Sequence, residues 1–212
     1  TTFSMLTGLV KPTSGVISFQ GENIVGLNMY DVSKKGIVTT FQKTKVFTTL
    51  TVEEATLVGT HSWVKTSIKD VLLHTKKFFE EEKKALARVE DVLKYTDLYK
   101  KRHLKCTSLS YGEQRLLEIA VAMAANPVLL LLDEPAAGLN HSESQSLMEM
   151  IYGLRDSGMT ILLIEHDMNL VMKISEHVIV LNFGEKIAEG TPAEITSNER
   201  VIEAYLGAEV DE

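Results

Sequence analysis

Two adjacent carboxylates, Asp133 and Glu134, follow an unbroken aliphatic run at residues 128–132. Such a run reads as a strand buried on both faces. The two acids then stand where the strand leaves the core, at the carboxyl edge where open α/β sheets bind ligands. A pair of this kind suits phosphoryl transfer. Asp133 can anchor Mg²⁺ through its water shell, while Glu134 orients and deprotonates a water that attacks a terminal phosphate. Two solvated acids at a strand end would be spelled the same way, so the neighbouring residues decide between the readings.

Upstream, Leu109-Ser110-Tyr111-Gly112-Glu113-Gln114 opens a helical stretch that runs through Ala125 and stops at Asn126-Pro127. The first turn of a helix has backbone N–H groups with no intrahelical acceptor and carries a fractional positive charge, so an anion fits there. Ser110 can donate its hydroxyl, and Gly112 lets the main chain approach closely; an ordinary serine N-cap is the plainer alternative. Downstream, Ala136-Ala137-Gly138-Leu139-Asn140 follows the acids, and Ile164-Glu165-His166-Asp167 ends a second aliphatic strand at 160–164. His166 can donate to a phosphate, although a histidine so placed is more often a polar cap. Gln42 follows the β-rich run 37–41 and has no chemical signature of its own.

Taken in order, LSYGEQ and LLLLDEP resemble the signature and Walker B motifs of ABC ATPases. The resemblance covers nearly the whole chain. It implies ATP and Mg²⁺ as cofactors, with Glu134 and His166 catalytic, His166 as the switch histidine and residues 136–140 as the D-loop. It makes Gln42 the Q-loop glutamine, reaching Mg²⁺ or the lytic water. It also aligns Thr1-Thr2-Phe3-Ser4 with the sequence just after the Gly-Lys of a Walker A loop. In that register Thr1 is the Mg²⁺-ligating hydroxyl beside Gln42 and Asp133, and nucleotide is bound by Thr1, Thr2, Ser110, Tyr111, Gly112, Glu113 and Gln114.

The same register leaves the phosphate loop, its lysine and the preceding strand outside the residues read here. One charge-assisted lysine–phosphate hydrogen bond is worth about 1.5–3 kcal/mol, so its loss weakens ATP binding about ten- to a hundred-fold. The chain as read is therefore expected to be inactive on its own.

GLVKPTSG, TFQ, LLIEHDMNLVM, IAEGTP and VIEAYLG are most similar to the ATPase subunits of branched-chain amino-acid importers. Urea-import and lipopolysaccharide-export ATPases share much of this wording. The family resemblance implies a second ATPase subunit, identical or related, paired head to tail so that Ser110 and Gly112 of one complete the site of the other. It further implies transmembrane permease subunits, indirectly a substrate-binding protein, and a cytoplasmic position on the inner face of the membrane. A non-transport ABC ATPase and a non-catalytic partner subunit are the other readings.

These residues need elements to hold them. The strand at 128–132, a helix over 142–155 and the strand at 160–164 make a β-helix-β crossover, hence a parallel sheet and an α/β fold. A helix is predicted at 2–9 and short strands at 16–19 and 37–41. Residues 47–112 are helical in composition, with the run Glu80-Glu81-Glu82-Lys83-Lys84 as a solvated face. Strands at 178–181 and 186–188 form an antiparallel hairpin, and Thr191-Pro192-Ala193-Glu194 spells a capping box ahead of a helical tail to Gly207. The expectation is thus an ABC-type P-loop NTPase core with a mostly parallel sheet, an antiparallel strand region and a helical subdomain. It is one domain over 1–212, lacking its first strand and most of Walker A, with the subdomain inserted at about 47–112.

Composition agrees. The chain has 212 residues, 44% of them hydrophobic, enough for a substantial core. Its net charge of -7 and lack of a basic stretch argue against nucleic acid. The single cysteine, Cys106, excludes an internal disulfide and suits a reducing compartment. The longest aliphatic run is far short of the ~20 residues that span a bilayer, and there is no export signal at the start, so membrane attachment is expected to pass through partners.

Overall fold

The computed structural model describes residues 1–40 and 47–206. The chain divides into two compact units, Thr1–Ile164 and Glu165–Glu212.

The first unit is built on a parallel sheet of β3 (Ile37–Thr39), β4 (Leu129–Asp133) and β5 (Thr160–Ile164), in the order β3-β4-β5. Leu129 of β4 is opposite Ile37 on one side and Thr160 on the other. Leu130, Leu131 and Leu132 are fully buried, as the uninterrupted leucine run requires of a central strand. The connection from β4 to β5 runs through α7 (His141–Asp156), so the β-helix-β crossover predicted from spacing is present. Residues 41–46 are outside the description, so β3 is followed only to Thr40, whose N–H donates to the Leu131 carbonyl.

The helix α1 (Thr2–Leu6) is shorter than its apolar spacing predicts. It ends at the C-cap Thr7, and the next residue, Gly8, turns out of the helix at φ +76. Its Phe3 joins Ile24, Val32, Ile37 and Leu131 in one core cluster, against which Leu6 and Ile164 also pack. The predicted strand at 16–19 is reduced to β1 (Ser18–Phe19), paired antiparallel with β2 (Glu22–Asn23). The two-residue turn between them, Gln20-Gly21, has both φ values positive, the geometry that follows strand twist. From there α2 (Met29–Lys34) leads into β3.

Residues 52–124 are mainly helical: α3 (Val52–Gly59), α4 (Ile68–Leu72), α5 (Lys76–Tyr95) and α6 (Tyr111–Ala124). Helices α3, α5 and α6 pack on one another. Every residue of α6 from Leu117 to Ala124 is buried, so this helix is enclosed on all sides. Its last carbonyls would be orphaned there. Trp63 Nε1 donates to the Ala124 carbonyl at 2.8 Å, and the Arg88 guanidinium donates to that of Met123 at 2.7 Å.

In the second unit, β6 (Val178–Asn182) and β7 (Glu185–Gly190) form the predicted antiparallel hairpin, with an irregularity between Val180 and Leu181. Val178, Val180 and Ala188 pack with Ile195 and Val201 of α9 (Pro192–Thr196) and α10 (Glu199–Val201). The capping box spelled by Thr191 and Glu194 is formed in both directions, with Pro192 at the first helical position. The chain enters this unit through α8 (Met168–Ile174), capped by the Asp167 carboxylate.

Candidate functional site

Asp133 is the last residue of β4, paired with Ile164 at the end of β5, and Glu134 is the first residue beyond it. Both are half-buried. The Glu134 N–H donates to the Ile164 carbonyl at 2.9 Å, so the chain stays tied to the sheet for one more residue. It then reverses: Glu134 has φ +46, in the left-handed region that favours glycine. A non-glycine residue pays about 1–2 kcal/mol to sit there. Among the other described non-glycine residues with positive φ, Gln20 and Phe183 are in hairpin turns. Glu134 is the one that directly follows a parallel strand. The turn closes with the Ala137 N–H on the Glu134 carbonyl, followed by Gly138 at φ +77.

The second part of the site is the turn before α6. The Ser110 hydroxyl accepts from the Glu113 N–H, and the Glu113 carboxylate accepts from the Ser110 N–H at 3.0 Å, completing a capping box. The Lys101 ammonium pairs with the same carboxylate and holds its pKa below the ordinary glutamate value. Gln114 turns its amide back to donate to the Leu109 carbonyl at 3.0 Å. Glu113 and Gln114 therefore brace the turn together with Ser110, whose hydroxyl also hydrogen-bonds the Glu113 carboxylate, while the backbone N–H groups of Tyr111 and Gly112 supply its anion-directed chemistry.

These two parts are joined. The Tyr111 hydroxyl donates to the Ala137 carbonyl and receives a 2.8 Å hydrogen bond from Arg115. A Cβ on Gly138 would meet the Tyr111 ring at 3.0 Å. Gly112 is buried, and a Cβ there would lie 2.6 Å from Oε1 of Glu143 in the first turn of α7. Glu143 is itself half of a capping box with Asn140: its Oε2 accepts from the Asn140 N–H, and Asn140 Oδ1 accepts from the Glu143 N–H. The glycine that admits a phosphate in the sequence reading thus also makes room for a carboxylate. Glu143 and the Tyr111–Ala137 bond are absent from the sequence reading. The Asn140-x-x-Glu143 spacing is a capping signature that could have flagged the first; nothing local could have announced the second.

Thr1 is the N-cap of α1 and makes no side-chain cap hydrogen bond, and both Thr1 and Thr2 are exposed. A threonine hydroxyl and an aspartate carboxylate are hard oxygen donors of the kind Mg²⁺ accepts, so Thr1 and Asp133 fit that ion by chemistry. Among the described residues no group of three His, Cys, Asp or Glu side chains is placed to hold a metal by protein ligands alone. Gln42 lies outside the described residues. His166 belongs to the second unit, exposed on the turn between β5 and α8.

A model described as ABC transporter matches residues 1–137, and a second, described as Branched-chain amino acid ATP-binding cassette transporter, matches residues 185–211. The chain is 43% identical to the high-affinity branched-chain amino acid transport ATP-binding protein BraF of Pseudomonas aeruginosa, over 98% of the chain and 82% of BraF. It is 44% identical to the protein of the same description, LivG, from Escherichia coli K12, with the same coverage. Among solved structures, the ADP conformation of MJ1267, an ATP-binding cassette of an ABC transporter, superposes with a TM-score of 0.82 at 28% identity, over 97% of this chain and 82% of that one.

Proposed function

The chain belongs to the ABC transporter family of ATP-binding proteins, and from that membership we propose that it hydrolyses ATP to drive the import of branched-chain amino acids. The observation that carries the ATPase reading is Glu134, held in a left-handed turn at the end of β4 while Tyr111 clamps the same turn to the start of α6. The similarity to BraF and LivG supports the choice of transported substrate.

In this reading Glu134 accepts a proton from the water that attacks the γ-phosphate, and His166 donates a hydrogen bond to that phosphate. The Thr1 hydroxyl, Gln42 and, through water, Asp133 would hold Mg²⁺, which would supply charge neutralisation of the phosphates. Ser110 and the first-turn amides of α6 serve the nucleotide held by a second ATPase subunit, so each site forms only when two subunits meet head to tail. Tyr111 and Glu143 act as positioning residues, since each touches the turns on which Glu134 and Ser110 stand. The equilibrium between paired and open subunits is biased by nucleotide, which is how hydrolysis becomes motion.

The motion needs an exit toward the permease. Helices α3 and α5 border a cavity of about 450 Å³ whose lining includes Leu50, Leu57, Val58, Val64 and Phe78 together with Glu54 and Glu82. We assign this cavity, within the helical region of about 47–112, as the seat of a permease segment. No described helix is long and apolar enough to cross a membrane, and the permease is the anchor that this reading supplies at the inner face of the cell membrane.

Uptake of radiolabelled leucine, isoleucine and valine by cells with wild-type or Glu134→Gln protein tests the proposal. Uptake that depends on Glu134 supports it. Undiminished uptake of all three in the variant cells, with uptake of another solute lost, would assign the subunit to a different importer.

A further inference from the structure

Within the segment 64–79, Ile68, Val71, Leu72, Leu73 and Phe79 are exposed apolar side chains. None of the five residues of α4 is buried. Ile68 and Leu72 are 81% and 73% exposed, and Leu73, just past the helix, is 75% exposed. Ile68 and Leu72 are one helical turn apart and so share a face, to which Val71 and Phe79 add further exposed surface.

The polar residues around this tip have one dominant sign. Lys65, Lys69, Lys76 and Lys77 are all exposed, and the only acid between residues 64 and 79 is Asp70. With His74 neutral the segment is formally +3, inside a chain of net -7. The Asp70 carboxylate accepts from the Ser67 N–H and hydroxyl and from the Thr75 hydroxyl, and it stands 4.0 Å from the Lys77 ammonium. Of the acids that follow, Glu80 is exposed, Glu81 pairs with Lys84 and accepts from the Lys65 N–H, and Glu82 is on the cavity wall. The tip is also preorganised. A capping box starts α4, and His74, at φ +46, turns the chain and sets its ring edge-on to Phe78 and tilted beside Phe79.

We propose that this tip seats in the headgroup layer of an anionic bilayer, with Ile68, Leu72 and Leu73 at the acyl boundary and the four lysines reaching lipid phosphates. Protruding aliphatic side chains flanked by long cationic ones suit a fluid interface, where apolar groups insert and lysine stems extend to the headgroups. A protein partner would instead need a groove shaped to receive them. Val64 and Phe78, at the two ends of the segment, also line the cavity assigned to the permease. The expectation that a bilayer lies within reach rests on that assignment, whereas binding of the tip to lipid does not.

The test is flotation of the purified protein with vesicles of phosphatidylcholine alone or with about a third phosphatidylglycerol, in the absence of permease. The protein is expected to float with the anionic vesicles only, and less as salt is raised. A Lys69→Glu/Lys76→Glu/Lys77→Glu variant and an Ile68→Ser/Leu72→Ser/Leu73→Ser variant should each bind about tenfold less or weaker still. Phe183→Ser, which removes a fully exposed side chain elsewhere, should bind like wild type. Unchanged thermal unfolding of the exposed-residue variants would establish that they are folded. No flotation of the wild type, or flotation that survives both triple changes, overturns the proposal. Failure of permease capture with flotation intact would count against the cavity assignment instead.

Discussion

The Tyr111 hydroxyl, from the first turn of α6, donates to the carbonyl oxygen of Ala137 at 3.1 Å, across the turn that Glu134 begins. The Tyr111 phenolic oxygen in turn receives a hydrogen bond from Arg115, whose guanidinium also pairs with the buried Glu118. One phenol thus ties the start of α6 to the loop leaving β4. Tyr111→Phe keeps the ring against Gly138 and removes only the hydroxyl. The expected loss is about 1 kcal/mol, or roughly 2–4 °C in thermal midpoint for a chain of this size. In ATP hydrolysis by the assembled transporter the variant should lose more than its stability accounts for, because Ala137 and Ser110 lose their common reference. A normal rate in a measurably destabilised variant would make Tyr111 a packing residue only.

Gly112 and Glu143 make a second test. A Cβ at Gly112 meets the end of the Glu143 side chain, which could swing aside, but its other oxygen caps Asn140. Gly112→Ala should therefore cost about 1 kcal/mol through the lost cap at α7. Glu143→Ala should cost a similar amount, and the double variant no more than either alone, since the clash and the cap vanish together. Urea denaturation of the four proteins gives the coupling directly. Additive losses would mean that the two residues do not meet.

How much of this was readable in the letters differs by element. The leucine run at 129–132 could only be a central strand, and the β4-α7-β5 crossover followed from it, because burial on both faces leaves one pattern. Asp133 and Glu134 were legible for the same reason: they end that run. The shortening of the predicted strand at 16–19 to two residues was not legible, since Val16 has β propensity but is largely exposed, and tertiary context decides such cases. The same holds for α1, whose apolar spacing continues to Leu9 while Gly8 ends the helix earlier. In the candidate site, the sequence named Ser110, Gly112, Glu113 and Gln114 as one group. Only the structure shows that Ser110, Glu113 and Gln114 brace the turn by side-chain hydrogen bonds while Gly112 is buried against Glu143. The contact between Tyr111 and Ala137 joins residues 26 positions apart, and no local pattern encodes such a pair.

The Lys101–Glu113 pair predicts a pH dependence. Lys101 and the Ser110 N–H hold the Glu113 carboxyl below its ordinary value in the folded protein. The unfolded chain then binds the proton more readily than the folded one, so stability rises with pH through that range. The contribution is fully present above the ordinary glutamate value and is lost as pH falls through the lowered one. Lys101→Met should lower the neutral plateau of the thermal-midpoint profile slightly, because both partners are partly exposed, and leave the acid end unchanged, so that the acid limb becomes shallower. An identical acid limb in the variant would show that other carboxylates govern it.

The central claim is that Glu134 is the base for ATP hydrolysis at a site completed by a second subunit. The most direct measurement is the steady-state ATPase rate of the full-length subunit with its permease, for wild type and Glu134→Gln, with the oligomeric state followed in Mg²⁺-ATP. The account predicts a rate loss of about a hundredfold or more for Glu134→Gln, together with a longer-lived ATP-bound pair, because the amide keeps the shape of the carboxylate and cannot take the proton. A Glu134→Gln protein that hydrolyses ATP at the wild-type rate would contradict it.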